Sequence, residues 1–242
     1  MTSPEAITLA MPDAEVLLYP TFFPTQEADA LFAALQTGIA WEQKSIRLYG
    51  KVMEMPRLTA WYGDPAATYT YSGLTETPRP WTPALLTIRE RVDAAAGVAF
   101  NSVLLNYYRG ERDSMSWHSD DEPELGRNPV IASVSFGAAR RFQFKHRTDP
   151  ALRAAVELTH ASLLLMRGPT QHHWKHQLPK STRPLAPRIN LTFRIIHPRT
   201  PINISQTLET RPGAESRPRG SVLRYDDPFG PAAPPEDWEA HQ

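Results

Sequence analysis

The sequence predicts an α+β, mainly β chain: a double-stranded β-helix, or jelly roll, whose core is buttressed by N-terminal helices. Three observations predict it. From Phe100 to Arg194, short apolar segments follow one another between turn signals. Two segments of helical period come before them. At 242 residues the chain can bury one substantial core. Short strands in unbroken succession fit two facing sheets that enclose a cavity.

In chain order, residues 1–15 read as a partly extended leader, and Val16-Leu17-Leu18-Tyr19 as a first strand. Ala28, Leu31, Phe32 and Leu35 recur at helical spacing, so Thr25 to Gln36 reads as a core-packing helix with Thr25 as its cap. Trp41 to Lys51 alternates as a strand pair does, with Tyr49 beside Arg47 and Lys51. An aromatic at a loop tip between cations is either an ordinary hairpin or a wedge for a base stack. Tyr62, Tyr69 and Tyr71 follow; Tyr69 and Tyr71 share one strand face, which suits cross-strand pairing or the stacking of a flat base. Pro83 near the first turn and Gly97 as the stop bound a second helix, with Leu85, Ile88, Val92 and Ala95 as its buried stripe.

The strand series comprises Ser102–Tyr108, Val130–Phe136, Arg141–Lys145, Ser162–Met166 and Ile189–Ile196. Arg140, Arg141, Lys145, His146 and Arg147 form the densest basic run, either a solvated strand edge or a grip on phosphates. Beyond Pro198 the composition shifts to proline, glycine, serine and charge, so residues 198–242 read as a disordered tail. One domain, 16–197, with its barrel over 100–197, precedes that tail.

Composition excludes several classes. Lys+Arg and Asp+Glu are both 26, which gives no support for bulk attraction to nucleic acid, though a local basic strip suffices for an enzyme. With no cysteine, disulfides, thiolate metal sites and cysteine nucleophiles are all absent. No apolar run is long enough to span a bilayer, and no signal pattern opens the chain. The expectation is a soluble intracellular protein that does not engage membranes, cytoplasmic in a bacterium and nuclear in a eukaryote.

The chemistry concentrates in two stretches. His118 and Asp120 are two residues apart, a spacing that puts both on one face of a strand. A second imidazole from far down the chain would complete a two-His-one-carboxylate triad, which leaves coordination positions open and suits non-heme Fe(II). Arg188, Asn190, Thr192 and Arg194 alternate with Ile189, Leu191 and Phe193, so the polar four share a face. Two arginines beside a metal call for an anion, and a guanidinium matches a dicarboxylate.

With these residues the chain resembles AlkB-family Fe(II)/2-oxoglutarate-dependent dioxygenases, in particular the DNA alkylation-repair members that act on double- and single-stranded DNA. The matching blocks run from about Tyr19 to Ile196: Pro56-Arg57, Tyr69 to Leu74, Asn106-Tyr107-Tyr108, His118 to Glu122, Ile131 to Gly137, His173 to His176, and Ala186 to Arg194. The resemblance implies iron on His118, Asp120 and His176; His172 and His173 are passed over because the family motif sets the ligand before the Leu-Pro segment, twelve residues ahead of Arg188. It implies 2-oxoglutarate on Arg188 and Arg194, with neutral hydrogen bonds from Asn106, Tyr108, Asn190 and Thr192, and O2 as the oxidant. It implies a nucleotide-recognition region over 41–75, with Tyr49, Gly50, Lys51, Arg57, Tyr69, Tyr71 and Ser72 against substrate. Asp121 and Glu122 either favour a cationic methylated base or form an acidic loop. His160 and His197 have no partner legible in the sequence.

The implied activity is oxidative demethylation of 1-methyladenine and 3-methylcytosine with release of formaldehyde, succinate and CO2, by a monomer. The same chemistry on RNA or protein remains an alternative, as does a non-catalytic barrel that binds nucleic acid.

Overall fold

The computed structural model describes residues 5–48, 51–71 and 74–197. Tyr49, Gly50, Ser72 and the 198–242 tail lie outside the described residues, as do the side chains of Lys51, Tyr69 and Tyr71.

The elements run β1 (Ile7–Thr8), β2 (Glu15–Tyr19), α1 (Thr25–Gly38), β3 (Ser45–Leu48), β4 (Lys51–Glu54), β5 (Leu58–Gly63), β6 (Tyr69–Tyr71), β7 (Leu74–Glu76) and α2 (Pro83–Ala96). Then come β8 (Ser102–Tyr108), β9 (Met115–His118), β10 (Ile131–Gly137), β11 (Arg140–His146), β12 (Arg153–Leu158), β13 (Ser162–Arg167), α3 (Thr170–His173), β14 (Trp174–Leu178) and β15 (Arg188–Arg194). Seven strands form one sheet in the order β1-β2-β13-β10-β15-β8-β5, and four form the second, β12-β11-β14-β9. All pairings are antiparallel, so the expected two-sheet jelly roll is the architecture found. β3–β4 and β6–β7 are separate two-stranded ribbons in the expected recognition region.

Strand alternation builds two cores from the large sheet. Leu163 and Leu165 of β13 and Ile189, Leu191 and Phe193 of β15 turn toward α1 and α2, where Leu31, Leu35, Leu85, Ile88 and Val92 meet them. Leu164 and Met166, the alternate positions of β13, pack with Phe142, Phe144, Trp174 and Leu178 of the smaller sheet. Each such fully buried side chain is worth roughly 1.5–3 kcal/mol relative to exposure.

Helix α2 starts where Thr82 accepts the Leu85 N–H at 3.3 Å and stops at Gly97, whose φ of 72° only glycine adopts cheaply. Its last buried position is Ala96; Ala95 is only partly covered. Helix α1 corrects the expected cap: Pro24 occupies that position, Thr25 is already helical, and no side chain caps the end. Proline sets a φ of −58° that leads into the helix without a capping oxygen. Tyr62 is a core residue whose hydroxyl accepts the Ala40 N–H at 3.0 Å. Among the described residues no helix is long and apolar enough to cross a membrane.

Gly137 ends β10 opposite Arg188. Its φ is +89°, and an added Cβ would clash with the Pro187 carbonyl oxygen and meet the Phe32 ring at 3.0 Å. Gly137→Ala is expected to destabilise the fold by on the order of 3 kcal/mol, from left-handed strain plus the clash. Urea denaturation reads this as a lower midpoint at unchanged slope; an unchanged midpoint would contradict the tight packing of this corner.

Candidate metal centre and co-substrate pocket

The small sheet brings the two imidazoles together, because His118 at the end of β9 is the register partner of His176 on β14. Their rings lie 4.2 Å apart at 70°, and His176 stacks on Phe142 at 5.2 Å. Asp120 reaches them from beyond the strand, not from it as the two-residue spacing suggests, since β9 ends at His118. One side chain and one backbone carbonyl of the α3–β14 segment hold the turn: the Asp120 N–H donates to Gln171 Oε1 at 2.9 Å, and Ser119 Oγ donates to the Trp174 carbonyl at 3.1 Å. Asp120 Oδ2 then stands 3.9 Å from His176 Nε2. One donor atom from each of His118, Asp120 and His176 lies within 4.8 Å of the others.

The protonation states suit a divalent metal. Ser116's carbonyl lies 2.8 Å from His118 Nδ1 and can only accept, so Nδ1 carries the proton and Nε2 keeps its lone pair. Burial lowers the pKa of His118, and burial together with His118 pushes His176 down to about 3. Burial opposes ionisation of Asp120, but the charge and hydrogen bond of Arg194 outweigh it and hold the carboxyl below its usual range. Two neutral imidazoles and one carboxylate are the donor set for non-heme iron, so the residues present fit Fe(II).

Across the cavity stands β15. Arg188, Asn190, Thr192 and Arg194 line the pocket, along with Asn106 and Tyr108 of the neighbouring β8, where Arg188 pairs with Tyr108 and Asn190 with Asn106. Arg188 is 2% exposed; Nη2 donates to Ser135 Oγ at 2.9 Å, while its Nε is buried with no hydrogen-bond partner. Burial lowers its pKa to about 10, and Tyr108 opposes the shift, so it stays cationic near neutrality. A buried cation with a free N–H calls for an anion, which fits a 2-oxoglutarate carboxylate. Arg194 donates from Nη2 to Asp120 Oδ1. Asn190 and Thr192 are locked together: Asn190 Nδ2 donates to Ser133 Oγ at 2.7 Å and the Val134 carbonyl at 3.0 Å, and Thr192 Oγ1 donates to Asn190 Oδ1 at 3.1 Å.

The residues expected against substrate are dispersed. Arg57 is buried, and its Nε donates to Asn106 Oδ1 at 2.8 Å, so it stands behind a pocket residue. Asp121 is exposed and pairs with Arg147 at 2.8 Å. Burial pushes the Glu122 carboxyl up to about 7, partly opposed by Arg194, and its Oε2 is buried with no hydrogen-bond partner.

The basic run is neither a single edge nor a single grip, because β11 alternates. Arg140 is buried and donates to the carbonyls of Gly110, Asp113 and Pro179, at 3.3, 3.0 and 2.6 Å. Lys145 lies over the Trp117 ring at 4.7 Å, and Arg147 serves Asp121. His160 does have a partner: its Nδ1 accepts the Gly137 N–H at 2.9 Å, and Asp29 lies 3.4 Å from Nε2.

Sequence reasoning missed Ser133, Ser135 and Gln171. The serines carry a signal, being the polar alternate positions of an otherwise apolar strand. Gln171 carries none, since it lies on a four-residue helix with no periodicity to read. Gln171→Leu removes the acceptor that holds Asp120's backbone and is expected to weaken Fe(II) affinity about 10–100-fold. Titration with Co(II) as a spectroscopic stand-in measures it; an unchanged constant would mean that Arg194 alone orients the carboxylate.

Comparison with known proteins agrees with this geometry. Residues 15–194 match the 2OG-Fe(II) oxygenase superfamily. The chain is 43% identical over 194 residues to alpha-ketoglutarate-dependent dioxygenase alkB homolog 3 of Homo sapiens, spanning 76% of this chain and 67% of that protein. It is 44% identical over 192 residues to the DNA oxidative demethylase ALKBH2 of Bos taurus, spanning 75% and 69%, and 35% identical over 221 residues to that of Arabidopsis thaliana, spanning 80% and 70%. A solved structure, that of OsALKBH1, superposes with a TM-score of 0.56 at 15% identity, covering 79% of this chain and all of that one, a likeness of fold. The chain therefore belongs to the AlkB family of the 2OG-Fe(II) oxygenases and is a dioxygenase that uses Fe(II) and 2-oxoglutarate.

Proposed function

We propose that this dioxygenase is an oxidative DNA dealkylase that removes N-methyl groups from bases such as 1-methyladenine and 3-methylcytosine, in single- and double-stranded DNA. The observation that carries the proposal is the triad of half-buried His118 with buried Asp120 and His176, facing the Arg188 cation, in a chain 43–44% identical to proteins that include named DNA oxidative demethylases.

His118, Asp120 and His176 would hold the iron, and Arg188 and Arg194 would pair the carboxylates of 2-oxoglutarate, with Asn106, Tyr108, Asn190 and Thr192 around it. Iron with 2-oxoglutarate and O2 supplies an oxidation that leaves one oxygen atom in succinate and inserts the other into a C–H bond of the methyl group, with loss of CO2. The hydroxymethyl group on the cationic ring nitrogen then gives up its O–H proton and breaks its C–N bond, releasing formaldehyde and returning the electron pair to the nitrogen of the neutral base.

The chain's own part is positioning and exclusion. The apolar wall of Leu104, Met115, Phe142, Met166 and Leu178 keeps bulk water from the oxidising centre. Ser135 aims Arg188, Arg57 aims Asn106, and Gln171 aims Asp120. A methylated ring nitrogen carries positive charge; Asp121, partly answered by Arg147, places negative potential next to the metal ligand, and a cationic base would favour the ionised form of Glu122, whose carboxyl burial has pushed up to about 7. A target base has to leave the stack to reach this depth, and a lesion that pairs poorly costs less to extrude. Tyr69, Tyr71 and Ser72 are proposed to hold the extruded base, and Tyr49, Gly50 and Lys51 to enter the gap it leaves.

The test combines the full chain with Fe(II), ascorbate, 2-oxoglutarate and matched single-stranded and duplex oligonucleotides, each with one 1-methyladenine. Loss of one methyl by mass, dependent on 2-oxoglutarate and abolished by His118→Ala, is expected; succinate formed without demethylation would move the substrate elsewhere. Arg188→Ala should raise the KM for 2-oxoglutarate about 100-fold, the scale of a buried charge pair deprived of one partner. Tyr49→Ala should lower activity on duplex more than on single strands, and an equal loss on both would remove the wedge.

A further inference from the structure

A second cluster of metal-ligating side chains lies apart from the pocket, where the β1–β2 turn covers the ends of β11 and α3. One ring nitrogen from each of His146 and His173 and one carboxylate oxygen of Asp13 lie within 4.8 Å of one another. We infer that Asp13, His146 and His173 form a second divalent transition-metal site, taking Zn2+ or a cation of like chemistry.

The three side chains come from three segments that hydrogen bonds tie to one another. Trp174 Nε1 donates to the Pro12 carbonyl at 2.8 Å, which pins the turn that presents Asp13, itself at a φ of 54°. The Arg147 N–H donates to the His173 carbonyl at 2.7 Å and ties the end of α3 to the strand carrying His146. The two rings lie nearly parallel, 17° apart with centroids at 5.8 Å. His146 Nε2 is buried and has no hydrogen-bond partner, so one ring nitrogen is withdrawn from water with nothing to satisfy it. A buried polar atom left this way is destabilising, and a ligand on it would remove that penalty.

The tautomer sets how tightly the site binds. His146 Nδ1 faces the Asp149 N–H at 3.1 Å and Thr148 Oγ1 at 3.3 Å. Without metal, Nδ1 accepts from Asp149 and Nε2 bears the proton. A metal on Nε2 requires the proton on Nδ1, where Thr148 accepts it and the Asp149 contact is given up. Binding therefore displaces one weak hydrogen bond, and the site is weaker than a closed structural one. Two imidazoles and one carboxylate select Zn2+, Ni2+ or Cu2+ over Mg2+ and Ca2+, which prefer all-oxygen sets. Once bound, the ion staples the β1–β2 turn to the segment that runs through Trp174 to His176.

The test counts Zn2+ on the full chain by equilibrium dialysis and atomic absorption, since the iron centre also accepts zinc. Two ions per chain are expected for the unmutated protein and one for His118→Ala/Asp120→Ala. One is expected for His146→Asn/His173→Asn, none when the two pairs of changes are combined, and still two for His172→Asn. A single ion on the unmutated chain, or two on His146→Asn/His173→Asn, overturns the inference. A measurement without substitutions guards against misfolding: in histidine-ring nitrogen NMR of the unmutated chain, His146 Nδ1 should pass from unprotonated to protonated between one and two equivalents of Zn2+. A His146 ring that is unaltered at two equivalents overturns it equally.

Discussion

A carboxylate buried in a protein interior has to be matched by positive charge or by a metal, and much of the site follows from how Asp120 is matched. Arg194 reaches across from the large sheet to its Oδ1, while His176 and His118 approach from the small sheet. The pair thereby bridges the two sheets where the cavity opens. Burial makes the imidazoles neutral and the arginine's charge keeps the carboxyl ionised, which is the state a divalent cation requires. The same desolvation that makes such a cluster expensive makes it selective for a doubly charged ligand.

β15 carries the opposite constraint on one strand. Its odd-numbered apolar residues face α1 and α2, and its polar residues face the pocket, so packing of the helices and orientation of the arginines are one event. A one-residue slip of register would bury four polar groups against the helices and turn Ile189, Leu191 and Phe193 into the cavity. Gly137 and the Ser133–Asn190 bond help to prevent it at the β10 side. Site geometry is thus stabilised by the main hydrophobic core and not by local contacts alone.

Much of this was legible in the residues. The polar and apolar alternation of 188–194, the capped helix at Pro83 and the succession of apolar strands are local signals, and local signals survive into the fold. Strands β12 and β14 were not legible, because they are mixed in polarity and take their shape from partners across the small sheet. Arg140 looked like part of a basic surface, and it is instead a buried tether for three carbonyls, since adjacent residues of a strand point to opposite faces.

The sequence by itself determined the chemistry: the residue types His118, Asp120, His176, Arg188 and Arg194, their order, and the strand face shared by the arginines. Periodicity and side-chain chemistry are properties of a single segment, and so they can be read from it. The tertiary structure alone decided which distant groups meet. It set Gln171 under Asp120, Arg57 behind Asn106, Ser135 on Arg188, and Asp13 beside His146 and His173. Those contacts join residues far apart in the chain, and their partners are selected by sheet register and layer packing, which no single stretch of sequence encodes.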